Sequence, residues 1–157
     1  MQLKIKKLHP NARIPTYATD GSGCFDLYAL TVNGAYHLGS NIDANEPVLC
    51  GTGIAVEVPD GYVMEIYSRS GHGFKWNTRL SNCVGIIDQD YRGEIAVQLI
   101  SDRDPGKFDT DPVLFVSPGD RIAQAKLAKA DPVTFIEVDE LSDTARGTGG
   151  FGSTGKD

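Results

Sequence analysis

No part of this chain repeats its apolar residues at helical spacing for more than a turn or so. Short alternating or apolar runs instead recur from end to end, closed by turn residues. Leu3, Ile5 and Leu8 interleave with lysines. Ile54–Val58 runs into Pro59-Asp60-Gly61-Tyr62 and out again as Val63–Tyr67. Further strand-like runs are Ile95–Ile100, Val113–Val116, Ile122–Leu127 and Val133–Val138. The last three are separated by Ser117-Pro118-Gly119-Asp120 and Ala130-Asp131-Pro132. Eighteen glycines and eight prolines punctuate these runs. The pattern predicts an all-β sandwich or barrel with at most one short helix, over Gly71–Asn77.

A chain of 157 residues is one domain by length and can bury a core without staples. No apolar run approaches the ~20 residues that cross a bilayer. The basic start, Met1 to Lys7, is not followed by an apolar run, so it does not read as a signal peptide. Cys24, Cys50 and Cys83 are widely spaced and form no C-x-x-C pair. This argues against a zinc site and for reduced thiols in a cytoplasmic protein. A net charge of -6 argues against a duplex-binding protein but leaves room for a local anion site.

Two segments carry chemistry. In Gly85-Ile86-Ile87-Asp88-Gln89-Asp90-Tyr91-Arg92-Gly93-Glu94-Ile95, apolar arms enclose a tight acidic turn. Such a hairpin can offer backbone donors and acceptors to a flat ligand while Asp88 aims at a water; the plainer reading is a polar hairpin tip in solvent. The tail, Arg146 to Asp157, sets one aromatic among glycines and hydroxyls. Its Gly150 to Lys156 fits G-x-x-x-x-G-K, but no helix follows to complete a phosphate cradle. The tail reads instead as a mobile flap, with a disordered glycine-rich end as the alternative. In the flap, Arg146 pairs with a terminal phosphate, Phe151 stacks on a base, and Gly152, Ser153 and Thr154 face phosphate oxygens.

Five ordered segments together resemble the trimeric deoxyuridine triphosphatase (dUTPase) family. They are Asp20–Ala29, Ser68-Arg69-Ser70-Gly71, Asn82–Gly93, Pro118–Gln124 and Arg146–Gly155. Ser68 stands where the family often has proline, and Cys24-Phe25 where it has smaller residues. The Ser101–Thr110 loop is longer than usual and has no assigned role. The resemblance implies a jelly-roll-like fold over residues 1–145, with 146–157 as a flap completing a neighbouring subunit's site. It implies a homotrimer with active sites at subunit interfaces. It further implies hydrolysis of dUTP to dUMP and pyrophosphate with Mg²⁺, by water attack at the α-phosphorus. Such an enzyme keeps uracil out of DNA and supplies dUMP for thymidylate synthesis. A dCTP deaminase of the same fold and a nucleotide-responsive binding protein are the competing readings.

The resemblance also assigns roles. Asp88 is the general base. Arg69, Ser70 and Gly71 hold the triphosphate, and Gln124 adds a polar contact. Asn82, Gly85, Ile86, Ile87 and Ala96 present a pairing edge to uracil, and Tyr91 lies against the deoxyribose. Asp26 either meets Mg²⁺ through water or is a structural carboxylate after a glycine-rich turn. Arg121 is read as structural, holding a carboxylate or a neighbouring subunit. His9, His37, His72 and Trp76 are read as structural or surface residues.

Overall fold

The computed structural model describes residues 1–44, 46–103, 113–150 and 153. The expected long loop lies mostly outside these residues, as do Phe151, Gly152 and Thr154. In chain order the elements are β1 (Lys4–Lys7), β2 (Thr16–Tyr17), β3 (Phe25–Tyr28), β4 (Thr31–Val32), β5 (Ser40–Asn41), β6 (Val48–Gly51) and β7 (Ile54–Glu57). Then come β8 (Tyr62–Tyr67), α1 (Ser70–Trp76), β9 (Thr78–Leu80), β10 (Val84–Ile87), β11 (Ala96–Ser101), β12 (Phe115–Val116) and β13 (Arg121–Lys129).

Two antiparallel sheets dominate. One has the order β10-β8-β13-β3-β2, the other β4-β6-β11-β9; β1-β7 and β12-β5 are small ribbons. Alternation builds the interior. Met64 and Ile66 of β8 and Ala123 and Ala125 of β13 point inward from the first sheet, and Val97 and Leu99 of β11 from the second. With Leu27, Ile54, Leu80, Ile95 and Ile122 they form one continuous core. This is the all-β, jelly-roll-like sandwich that the strand pattern and the resemblance predict, with its single short helix among the described residues. Cys50 is fully buried in the core, and burial pushes its thiol up to about 12.

Two expectations are corrected. The run Val133–Val138 forms no strand; it is an exposed arm, with Phe135 at 91% and Ile136 at 78% exposure. Among the described residues, no neighbouring strand pairs with it. The arms flanking Asp88 are also not an ordinary hairpin. β10 pairs with β8, whereas β11 pairs with β6 and β9. The two arms thus belong to different sheets and diverge, leaving a slot between them.

α1 needs tertiary support, since Gly71 and Gly73 are poor helix formers. His72 is buried on its inner face and meets Trp76 edge-on at a ring-centroid distance of 6.1 Å. Asn77, in the left-handed region at φ 49°, ends the helix, its N–H reaching the carbonyls of Gly73 and His72.

Candidate active site

Asp26 is the one buried acid of β3. Phe25 and Leu27 face the core, so alternation turns Asp26 onto the outer face, opposite Gln124 of β13. Arg121 reaches the same face because of a register shift between Arg121 and Ala123. Without the extra residue, Arg121 would share the inward face of Ala123 and Ala125; the bulge sends it outward. Its Nη1 then stands 3.1 Å from Asp26 Oδ2. Arg69 Nε approaches the other oxygen, Oδ1, at 3.4 Å. One carboxylate thus carries two guanidiniums, and the cluster keeps an excess positive charge.

Arg69 is the extended N-cap of α1. Its Nη1 donates to the Arg121 carbonyl at 3.4 Å and lies 3.2 Å from His72 Nε2. Ser70 and Gly71 open the helix beside it, and nothing would crowd a Cβ at Gly71. Gln124 does not reach outward: its Nε2 donates to the Ser68 carbonyl at 2.9 Å. The Ser68 hydroxyl accepts the Leu80 N–H at 3.0 Å. Where the family often has proline, this serine ties the end of β8 to β9 and fixes the approach to Arg69.

The slot between β10 and β11 has a volume of about 370 Å³ and is lined by Asn82, Gly85, Ile86, Ile87, Ala96 and Gln98, among others. This brings together all five residues expected to read the base. β10 is the edge strand of its sheet, and among the described residues no strand pairs with its far edge, which leaves those backbone groups open to a ligand. At Gly85 a Cβ would come within 3.2 Å of Ile66 Cβ and 3.7 Å of Asn82 Nδ2. Glycine keeps the slot floor low.

Asp88 follows the end of β10 and lines a separate depression of about 570 Å³ with Gly61, Asp90 and Asp131. Its backbone carbonyl accepts the Tyr91 N–H at 3.2 Å. Its carboxylate caps no backbone group among the described residues and stays exposed. The turn is instead braced by Arg92, which donates to the Gln89 and Tyr91 carbonyls, and by Gln89, which donates to Asp60 at 2.5 Å. Tyr91 folds over Gly93, where a Cβ would lie 2.5 Å from its hydroxyl, and donates to the Glu94 carbonyl at 3.0 Å. Tyr91 is thus held over the turn, 43% exposed, and does not pack on the core.

In the tail, Arg146 Nε donates to the Gly149 carbonyl at 2.9 Å, and the Ser153 N–H reaches the Gly150 carbonyl at 3.1 Å. Arg146 and Ser153 lie in turns formed by the tail itself.

Sequence reasoning left His72 as structural or surface. The usable signal was its spacing: three residues after Arg69, one helical turn away. Burial, and next the nearby Arg69 charge, pull its pKa down to about 4.

A family profile described as dUTPase matches residues 10–155. The chain is 44% identical over 156 residues to the deoxyuridine 5'-triphosphate nucleotidohydrolase of Nautilia profundicola, covering 99% of this chain and all of that one. It is 41% identical over 157 residues to the Helicobacter pylori protein of the same name, covering 99% and 97%. Among solved structures, the Staphylococcus bacteriophage 80alpha dUTPase with dUPNHPP superposes with a TM-score of 0.82 at 25% identity over 98% of both chains. With its two-sheet sandwich, its doubly paired Asp26 and its edge-strand slot, the chain belongs to the dUTPase family.

Proposed function

We propose that this protein hydrolyses dUTP to dUMP and pyrophosphate. The observation that carries the reading is the pairing, in a chain of this family, of a cationic clamp with a slot edged by free backbone groups. The clamp of Arg69, Ser70 and Gly71 takes the triphosphate, and Arg121 keeps Asp26 and the clamp in place. The slot reads uracil through the unpaired edge of β10 and through Asn82, with Ala96 on the opposite wall. Cytosine reverses the donor and acceptor pattern at that edge and leaves buried groups unpaired. Tyr91, standing over the turn, excludes a 2′-hydroxyl. Asp88 orients a water toward the α-phosphorus and accepts its proton, a role that supplies roughly 10²–10⁴-fold. Alignment and charge neutralisation supply the rest.

No group of three His, Cys, Asp or Glu side chains able to hold a metal lies among the described residues. Asp26, with its two oxygens held by Arg69 and Arg121, stands as the structural carboxylate of its two readings, and Mg²⁺ would be carried on the phosphate oxygens. When bound, the ion neutralises charge on the leaving pyrophosphate.

The protein works as a homotrimer with its sites between subunits. Two observations support this. The slot lining contains none of Asp26, Arg69 or Arg121. The arm after β13 leaves Val133, Phe135, Ile136 and Leu141 bare, as a segment made to be covered would. The tail from Arg146, with Phe151, Gly152, Ser153 and Thr154, closes over a neighbour's nucleotide. No helix among the described residues is long and apolar enough to cross a membrane. The reading of Cys24, Cys50 and Cys83 as reduced thiols supports a place in the cytoplasm.

The test is pyrophosphate release with Mg²⁺ and dUTP, dCTP, dTTP or UTP, alongside a native mass. Release from dUTP far ahead of the other three, by a particle of three chains, is expected. Equal rates on all four would sink the selectivity, and ammonia release from dCTP would point to a deaminase.

A further inference from the structure

The Arg69 guanidinium is fixed on one side only. Nε is paired by charge with Asp26 Oδ1 at 3.4 Å, and Nη1 is shared between the Arg121 carbonyl at 3.4 Å and His72 Nε2 at 3.2 Å. Among the described residues, Nη2 meets no acceptor. An arginine is always protonated, so every one of its nitrogens donates. His72 Nε2 must therefore accept, and the ring proton must sit on Nδ1. Nδ1 is buried and has no partner among the described residues. The ring is 4% exposed and edge-on to Trp76, so it cannot swing out to satisfy that nitrogen in water.

This is an unfavourable place for an imidazole. An apolar side chain would fill it without burying an unpaired N–H, which is a net cost to folding. The one thing that histidine provides here, and a hydrocarbon would not, is an acceptor at Nη1.

We propose that His72 is a positioning residue for the phosphate clamp: by accepting from Nη1 in the Nδ1–H form, it locks the Arg69 guanidinium so that Nη2 faces the substrate phosphates. Nη1 carries two hydrogens: the Arg121 carbonyl takes one at a long 3.4 Å, and the shorter contact to His72 takes the other, so that His72 adds the tighter of the two restraints on the plane of the guanidinium beyond the Asp26 ion pair. Bidentate recognition of phosphate depends on that plane. The inference rests on reading Arg69 as the triphosphate contact.

Three measurements on the full chain test it. The first is the ¹⁵N spectrum of the His72 ring without substrate. A protonated Nδ1 and bare Nε2 are expected; the reverse tautomer overturns the proposal. The second is the steady state with dUTP and Mg²⁺. His72→Leu should raise KM roughly tenfold, more than it lowers kcat, because Arg69 holds the phosphates before and during reaction. His72→Gln, whose amide oxygen can stand where Nε2 stands, should recover most of that loss. Leu and Gln variants with equal KM, or a Leu variant with the parent's KM, would overturn it. The third is thermal unfolding: His72→Leu should melt no lower than the parent, whereas a purely structural histidine would lower the melting point in both variants. Should the Leu variant not fold, the parent's tautomer and the Gln variant still decide. Failure of the functional reading is distinct: it would appear as a parent protein inert toward dUTP, whatever the tautomer.

Discussion

Arg121 Nη1 meets Asp26 Oδ2 at 3.1 Å across a β-bulge that places the arginine on the outer face of its sheet. Asp26 is 8% exposed, and its other oxygen faces Arg69. Replacing Asp26 by Ala therefore leaves two cations side by side. Breaking a fully buried pair costs ~3–5 kcal/mol. The Arg121 side chain is 47% exposed, so the loss here should be about 2 kcal/mol. Urea unfolding of Asp26→Ala, Arg121→Ala and the double variant would measure it. A coupling near zero would mean that the pair contributes no specific stability.

His72 gives stability a pH signature. Its folded pKa is about 4, below the ordinary value of 6.5. Between these two, the unfolded chain binds a proton that the folded chain refuses. Stability from this group is thus full above pH 6.5, declines as pH falls toward 4, and levels off below. The total is on the order of 3 kcal/mol. Chemical denaturation from pH 7 to pH 4 should show that decline in the parent and a shallower one in His72→Leu. Parallel curves would show that the histidine titrates freely.

Asp88→Asn should keep binding and lose turnover. Asp88 caps no backbone group among the described residues, and the turn is braced by Arg92 and Gln89. The substitution leaves that bracing intact, so unfolding should be unchanged within about 0.5 kcal/mol. Turnover of dUTP should fall roughly 10²–10⁴-fold, with titration calorimetry showing a non-hydrolysable dUTP analogue still bound. A variant with normal turnover would remove Asp88 as the base.

The arm after β13 should matter only between chains. Phe135 and Ile136 are 91% and 78% exposed, so replacing both with Ser should change the unfolding of a single chain by little. The same change should shift the native mass from three chains toward one and lower dUTP turnover at dilute protein. An unchanged mass would assign the arm no part in assembly.

The fold was readable because alternation and turn residues act locally. Val63–Tyr67 and Ile95–Ile100 declare their buried faces residue by residue. The slot proposed to read the base was partly readable: Asn82, Gly85 and Ala96 could be named, but not the divergence of β10 and β11 into separate sheets, which depends on pairings with distant β8 and β6. Val133–Val138 shows the reverse error. Its period fits a strand, yet period says nothing about whether a partner strand exists in the same chain. His72 stayed hidden because its spacing from Arg69 counts only if a helix runs through Gly71 and Gly73, two poor helix formers. Only the packing of α1 shows that its ring is enclosed beside Arg69.

The bare arm also bears on how this protein would be lost. A copy held apart from others offers proteases an extended, unpaired stretch with large side chains on display. Cleavage there would sever the tail from Arg146 onward while sparing the sandwich. Dilution should thus yield a trimmed, folded and inactive product, and crowding with its own kind should be what keeps the polypeptide whole.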